Sequence, residues 1–209
     1  MLRLFRPPRW IDWVYPSCTW RFVVSDRTVF LTFDDGPHPD ITPFVLEQLA
    51  TFNMKATFFC VGENMVRYPE LVNAIREQGH HIGNHTMRHT KGTSVTNEEY
   101  LKSVQDFDLH FHTELFRPPY GKMRWSQRQQ LKQQFRIIMW SWLSYDYDST
   151  VSVETILKRA QKIKKGDIIV LHDNPKITER QQELLPQFLQ LLQQKNFRSV
   201  VIPPLVSDV

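Results

Sequence analysis

Two adjacent carboxylates, Asp34 and Asp35, stand at the end of the apolar run Val29-Phe30-Leu31-Thr32-Phe33 and are followed at once by Gly36-Pro37. The run reads as a short buried strand and Gly-Pro as its stop. Carboxylates in such a place are costly unless something pairs with them. One explanation is local, since Asp-Gly is a common hairpin turn. The other is a partner from further along the chain, and the chain supplies candidates. His85 and His89 are four residues apart; on one helical turn that spacing brings two side chains about 5–6 Å apart at Cβ, close enough to share one ion. Imidazole suits zinc and similar first-row ions, and one carboxylate completes a three-ligand face with open positions. The other histidines act as controls. His80 and His81 are adjacent, His110 and His112 are two apart on a predicted helix, and His38 lies beside a proline. These read as structural or solvated.

The elements that must position these residues come next. With 209 residues, 41% of them hydrophobic, the chain can bury a full core and fits one domain. No stretch approaches the roughly 20 apolar residues that span a bilayer. The start carries Arg3, Arg6 and Arg9, but Pro7-Pro8 and Asp12 interrupt any apolar h-region. No cleaved signal peptide is expected, and the expectation is a soluble, cytoplasmic chain. Cys18 and Cys60 form no close pair, so neither a disulfide framework nor a cysteine zinc site is indicated. The net charge is +4 and the pI about 9.1, yet only Lys162, Lys164 and Lys165 approach a run, at the end of a predicted helix. No nucleic-acid partner is expected.

Strand and helix signals alternate along the chain. Strands are predicted at Trp20–Val24 and Val29–Phe33, as a hairpin across Ser25-Asp26, then at Ala56–Val61, His80–Gly83, Glu114–Arg117, Arg136–Trp140, Asp167–Leu171 and Ser199–Ile202. Helices are predicted at Thr42–Asn53 with Thr42 as N-cap, Asn64–Gln78 stopped by Gly79, and Thr96–Thr113 opened by a Thr96/Glu99 capping box. Three more follow at Ser126–Gln134, Val153–Lys165 stopped by Gly166, and Thr178–Lys195 disturbed near Pro186. Strands separated by helices of this length imply parallel β/α units, and about seven of them fit a barrel, possibly incomplete, better than a small open sheet. In such a barrel the chemistry sits at the C-terminal ends of the strands. Titratable residues do recur there: Asp34-Asp35, His85 to His89, Arg117 to Gly121, Tyr145 to Asp148, and His172-Asp173.

Thr32-Phe33-Asp34-Asp35-Gly36-Pro37, His85-x-x-x-His89, Arg117-Pro118-Pro119-Tyr120-Gly121 and Leu171-His172-Asp173, in this order and spacing, resemble the motifs of the polysaccharide deacetylases, the NodB-type domains of carbohydrate esterase family 4. The resemblance covers roughly residues 26 to 202. It implies an α/β fold, a distorted (β/α)7 barrel, with residues 1–25 as an N-terminal extension packed on a deacetylase domain of residues 26–209. It also implies metal-dependent removal of acetyl groups from N-acetylhexosamine glycans of the chitin-oligosaccharide or peptidoglycan type. Asp35, His85 and His89 would hold a divalent metal, zinc first, with cobalt or nickel as alternatives. Asp34 would be the general base and Arg117 would orient it. The Tyr120 backbone N–H would stabilise the oxyanion, and His172 would protonate the leaving amine, tuned by Asp146. The fourth motif departs from the family pattern: Leu143 stands where an acid is usual, and Tyr147 replaces a tryptophan of the acetyl pocket. Val170 lies two residues before His172 on one strand face and is a second candidate wall, although barrel packing explains it as well. Two alternatives stay open: deacylation of another small amide or an O-acetyl ester, and a non-catalytic carbohydrate-binding domain using the six Trp and six Tyr residues.

Overall fold

The computed structural model describes residues 4–205; Arg3, with the rest of residues 1–3, and residues 206–209 at the far end of the proposed domain lie outside them. In chain order the elements are α1 (Ile11–Val14), β1 (Cys18–Thr19), β2 (Thr28–Asp34), α2 (Thr42–Thr51), β3 (Ala56–Cys60), α3 (Gly62–Arg67), α4 (Pro69–Glu77), β4 (His81–Asn84) and α5 (Asn97–His110). There follow β5 (Leu115–Phe116), α6 (Trp125–Leu131), β6 (Arg136–Ile138), β7 (Trp142–Leu143), α7 (Val153–Ala160), β8 (Ile168–His172), α8 (Thr178–Gln194) and β9 (Arg198–Ser199). Among the described residues no helix is long and apolar enough to cross a membrane.

The strands form one curled sheet in the order β1-β6-β5-β4-β3-β2-β8-β7, with β9 beside the start of β2, and every ladder is parallel. With helices covering it, this is the distorted, incomplete β/α barrel that the alternation of signals implies. All seven residues of β2 are buried. Their alternation sorts them into two environments. Val29, Leu31 and Phe33 pack outward in the core with α2 and α8, against residues such as Val45, Leu49, Leu185 and Phe188. Phe30 packs in a second cluster with Phe59, Leu115, Ile138 and Ile168. Thr32 and Asp34 share the Phe30 face, so the interior of the barrel runs from apolar to polar to charged along one strand. β8 repeats the pattern, with Ile168, Val170 and His172 on the face that Phe30 meets.

Several predicted elements differ, each for a physical reason. Trp20–Val24 does not form a hairpin with β2: it makes only an isolated bridge, Arg21 to Asp167, and Cys18–Thr19 pairs with β6 instead. The single helix Asn64–Gln78 is two, because Pro69 opens α4 and Tyr68 is not helical (φ −128°, ψ 60°). Thr42 is not an N-cap; its hydroxyl accepts from the His38 N–H (2.8 Å) and donates to Asp173 (2.8 Å). Arg136–Trp140 ends at Ile138, and a further strand, β7, follows on the other edge of the sheet. Helix α8 passes through Pro186 unbroken. The Thr96/Glu99 capping box is present, and Gly79 follows its helix with φ of 76°. Gly166 does not stop α7, which ends at Ala160; its φ of 81° serves the turn into β8 instead.

Candidate metal centre and catalytic cleft

Asp34 and His172 are register partners on the adjacent strands β2 and β8. A carboxylate and an imidazole therefore leave the sheet side by side on its interior face. Asp34 pairs with the fully buried Arg117, whose guanidinium donates to Asp34 Oδ1 (2.6 Å) and Thr32 Oγ1 (2.7 Å). The same guanidinium donates to the carbonyls of Ile138 (3.2 Å) and Met139 (3.0 Å) and lies 4.1 Å from the Phe59 ring centroid. Arg117 thus ties β2 to the end of β6 across the bore and fixes the Asp34 carboxylate, with all three of its guanidinium nitrogens hydrogen-bonded.

Asp35 faces elsewhere because its backbone is left-handed (φ 84°). Its Oδ1 lies 3.1 Å from His89 Nε2 and 3.7 Å from His85 Nε2. Asn174 donates to its Oδ2 (3.2 Å) and Asn64 to its carbonyl (2.9 Å). Burial pulls the Asp35 carboxyl upward, but the His89 hydrogen bond and the charges that His172, His85 and His89 carry at the acid pH where it titrates outweigh burial and hold the group well below the usual range. His85 is buried, and burial brings its pKa down to about 4 against the upward pull of Asp34 and Asp35, so it is neutral at pH 7. Its Nδ1–H donates to the Arg117 carbonyl (2.8 Å), which leaves the Nε2 lone pair facing Asp35. A metal-ligating histidine is held in this way, its other ring N–H fixed by a carbonyl so that the free nitrogen faces the ion.

The four-residue spacing of His85 and His89 is not helical, contrary to the sequence expectation. The segment follows β4 as an irregular turn, with Thr86 and His89 at φ of 66° and 52° and the Thr86 N–H held by Asn84 Oδ1 (2.7 Å). The convergence is achieved by strained turns. Of the seven non-glycine residues at positive φ among the described residues, Asn53 and Asn196 follow helices, an ordinary use of asparagine. The other five, Asp35, Thr86, His89, Tyr120 and Tyr145, lie in the loops at the C-terminal end of the barrel. Strain concentrated in one set of loops marks a functional constraint. One ligand atom each from Asp35, His85 and His89 lie within 4.8 Å of one another, and this donor set of one carboxylate and two imidazoles fits a divalent first-row ion.

On the far side of the cleft His172 Nδ1–H donates to Asp146 Oδ1 (2.7 Å), turning Nε2 to the interior, and the His172 N–H donates to Asp146 Oδ2 (2.8 Å). Burial pushes the imidazole down, but the charge and hydrogen bond of Asp146, with Asp35 and Asp34 beyond, carry it up to about 9. The cleft between the two clusters has a volume of about 750 Å³. Its apolar end is lined by Trp140, Leu143, Tyr147 and Val170. Tyr147 stands edge-on to His172 at 5.0 Å, and Leu143 is the register partner of Val170.

The family model described as polysaccharide deacetylase matches residues 23–134. A peptidoglycan-N-acetylglucosamine deacetylase of Bacillus cereus is 32% identical over 90% of this chain and 92% of its own length. The chain belongs to the polysaccharide deacetylase family. A chitooligosaccharide deacetylase of Azorhizobium caulinodans is 32% identical over 73% of this chain and 77% of its own length. The crystal structure of a peptidoglycan N-acetylglucosamine deacetylase in complex with an N-hydroxybenzamide derivative superposes with a TM-score of 0.84 at 31% identity, covering 92% of this chain and 94% of that one.

In this deacetylase every predicted site residue reaches the cleft or touches one that does. Tyr120 lies on the cleft wall at φ 59°, its ring 4.7 Å from His89, and the following Gly121 rests so closely on Trp140 that a Cβ would come within 2.3 Å of the indole. Sequence reasoning assigned no role to the groups that hold these residues. Gln181, buried on α8, donates from Nε2 to Asp146 Oδ2 (2.7 Å) and to the His172 carbonyl (2.7 Å). Asp173 accepts from the Gly36 N–H (2.9 Å), and its own N–H donates to the Asp34 carbonyl (3.1 Å). Asn174 reaches Asp35 and was signalled only by its place two residues after His172. His80, His81 and His112 make structural contacts, to the Ala56 N–H, the Ile202 carbonyl and Asp108 respectively.

Proposed function

We propose that this chain is a metal-dependent hydrolase that removes N-acetyl groups from N-acetylhexosamine units of a glycan, releasing acetate. The observation that carries the proposal is an anchored carboxylate, Asp34, and a charged imidazole, His172, set side by side on adjacent strand ends at one cleft that also contains the Asp35–His85–His89 donor set. Binding a sugar needs neither a base nor an acid, so the cleft favours catalysis over a lectin-like role. The residues that would hold the ion are Asp35, His85 and His89. When bound, such an ion supplies Lewis-acid polarisation of a carbonyl and a lowered pKa for a coordinated water.

Asp34, fixed by Arg117, is placed to take a proton from the attacking water. The Tyr120 N–H, turned by its positive φ, is the proposed donor to the developing oxyanion. His172 carries its proton on Nε2 at neutral pH and is the group that can deliver it to the leaving nitrogen. Asp146 keeps that imidazole charged and oriented, and Gln181 orients Asp146. Trp140, Leu143, Tyr147 and Val170 form the proposed apolar wall for the acetyl methyl. The family-typical acid missing at Leu143 is thus replaced by apolar wall.

Peptidoglycan and chitooligosaccharides are the polymers named for the relatives, and both carry the N-acetylglucosamine unit the cleft is proposed to take. The test is acetate release from acetylated chitin oligomers and peptidoglycan fragments, with added zinc or cobalt and with chelator. Release that is abolished by chelator and restored by metal is the expected result. Activity on O-acetyl esters alone would replace the amide reading.

A further inference from the structure

At the opposite end of the barrel the chain exposes an apolar face. Trp10, Trp13 and Val14 are 59%, 86% and 52% exposed on α1 and the residue that opens it. Their spacing places them on one side of the turn. Val23 is fully exposed on the adjacent segment, which joins the barrel through the Phe22 N–H to the Gly166 carbonyl (2.9 Å). Beside them lies a depression of about 290 Å³ lined by Arg6, Pro7, Pro8, Arg9, Arg21, Lys164, Lys165 and Asp167. The helix abuts this depression, since Asp12 pairs with Arg21 (3.2 Å). Asp167 is taken by Arg6 (2.5 Å), so both acids there are matched and Arg9, Lys164 and Lys165 remain as excess positive charge with no ion pair among the described residues.

We propose that this face docks the enzyme on a bilayer surface bearing anionic lipid headgroups. Tryptophan is the side chain that settles at the membrane–water boundary, and clustered Lys and Arg are drawn to an anionic leaflet, each contributing about fivefold in partition. Charge complementarity selects this occupant over the others. A second copy of the chain would bring two cationic faces together across a two-fold axis. A neutral glycan would stack on the indoles but leave Val14, Val23 and the lysines without a role. The orientation suits the proposed chemistry, although the docking does not depend on it. Asp167 precedes β8 and His172 ends it, so the docking face and the acid are about 16 Å apart along one strand. An enzyme seated on this face opens its cleft away from the bilayer.

The test is cosedimentation of the full chain with vesicles of phosphatidylcholine alone and of phosphatidylcholine with about one-third phosphatidylglycerol. Binding to the anionic vesicles is expected, with loss at high salt as screening removes the headgroup attraction. Trp10→Ala/Trp13→Ala should weaken it about tenfold or more, and Arg9→Glu/Lys164→Glu/Lys165→Glu should abolish the preference for anionic vesicles. Both variants should keep the parent melting temperature, which separates lost docking from lost folding. Equal binding to both vesicle types, or variants that bind as the parent does, would overturn the proposal. So would retention on insoluble chitin or peptidoglycan, or a parental dimer, that the tryptophan variant loses while no vesicle is bound.

Discussion

Asp34 and Asp35 are neighbours with opposite surroundings, and the difference separates base from ligand. Asp34 ends a strand with a guanidinium against it, whereas Asp35 is turned by a positive φ into two imidazoles. Asp34→Asn keeps the shape and lies outside the donor set, so zinc should still bind while turnover falls by about 10²-fold or more. It also leaves the buried Arg117 without its counter-charge, which costs about 3–5 kcal/mol and should appear as a lower melting temperature. Calorimetry and a zinc titration on the same sample read both; undiminished turnover would move the base elsewhere. The acid is argued the same way. Burial opposes the charged form of His172, and Asp146 is what raises it to about 9. A cation at Asp35 works against that rise, so the metal-loaded limb should lie below about 9. Asp146→Asn removes the main upward influence, and the alkaline limb of the rate profile should move down towards 6.5, the ordinary histidine value. Activated esters, whose leaving group needs little protonation, should be spared. An alkaline limb unmoved by Asp146→Asn would mean that it reports another group.

At the scale of elements the site is a set of turns built on strand ends. Gly36 follows Asp35 against the Asp173 carboxyl so closely that a Cβ would lie 1.9 Å from Asp173 Oδ2. Gly36→Ala must therefore push the Asp34–Asp35 turn away from β8. A cost of about 1–3 kcal/mol in stability is expected, with metal affinity reduced at least about tenfold; competition with a chromophoric chelator measures it, and unchanged affinity would show that the turn does not depend on that approach. The strand ends themselves were legible, because continuous apolar runs such as Val29–Phe33 and Ile168–Leu171 belong to parallel strands buried on both faces. The turns were not. His85 and His89 were paired on helical grounds that the backbone does not follow, since positive φ at Thr86 and His89 leaves no trace in residue type. β7 was hidden because Met139 to Leu143 contains no Gly, Pro, Asn or Asp to mark a break, and only its pairing with β8 separates it from β6. Gln181 was unreadable for a related reason: its partner Asp146 lies 35 residues back, and a glutamine on a helix normally faces water.

For the molecule as a whole, the sheet has two free ends, β1 beside β6 and β7 beside β8, and the chain's first segment runs between them. The Phe5 carbonyl accepts the Leu143 N–H (2.9 Å) at one end, and the Thr19 carbonyl accepts the Met139 N–H (2.8 Å) at the other. We therefore propose that residues 4–19 act as barrel wall although they precede the catalytic motifs. Phe5 packs on Trp142 and Tyr145 with ring centroids 6.2 and 5.0 Å away, and Arg6 forms a two-pronged ion pair with the buried Asp167. A chain beginning at Trp10 would lose the phenyl burial, leave Asp167 without its cation, and uncover the β7 edge. The first two losses together are worth about 3–5 kcal/mol, discounted for the partial exposure of Arg6. In a chain of this size each kcal/mol moves the midpoint by about 2–4 °C, so the truncated protein should melt about 10 °C below the parent. The bared strand edge should also make it aggregate on heating, visible as scattering at the transition. Trp13→Ala is the control, because an exposed side chain on the same segment should shift stability by no more than about 0.5 kcal/mol. If the truncated chain melts with the parent, the segment is an appendage and the barrel is closed by other means.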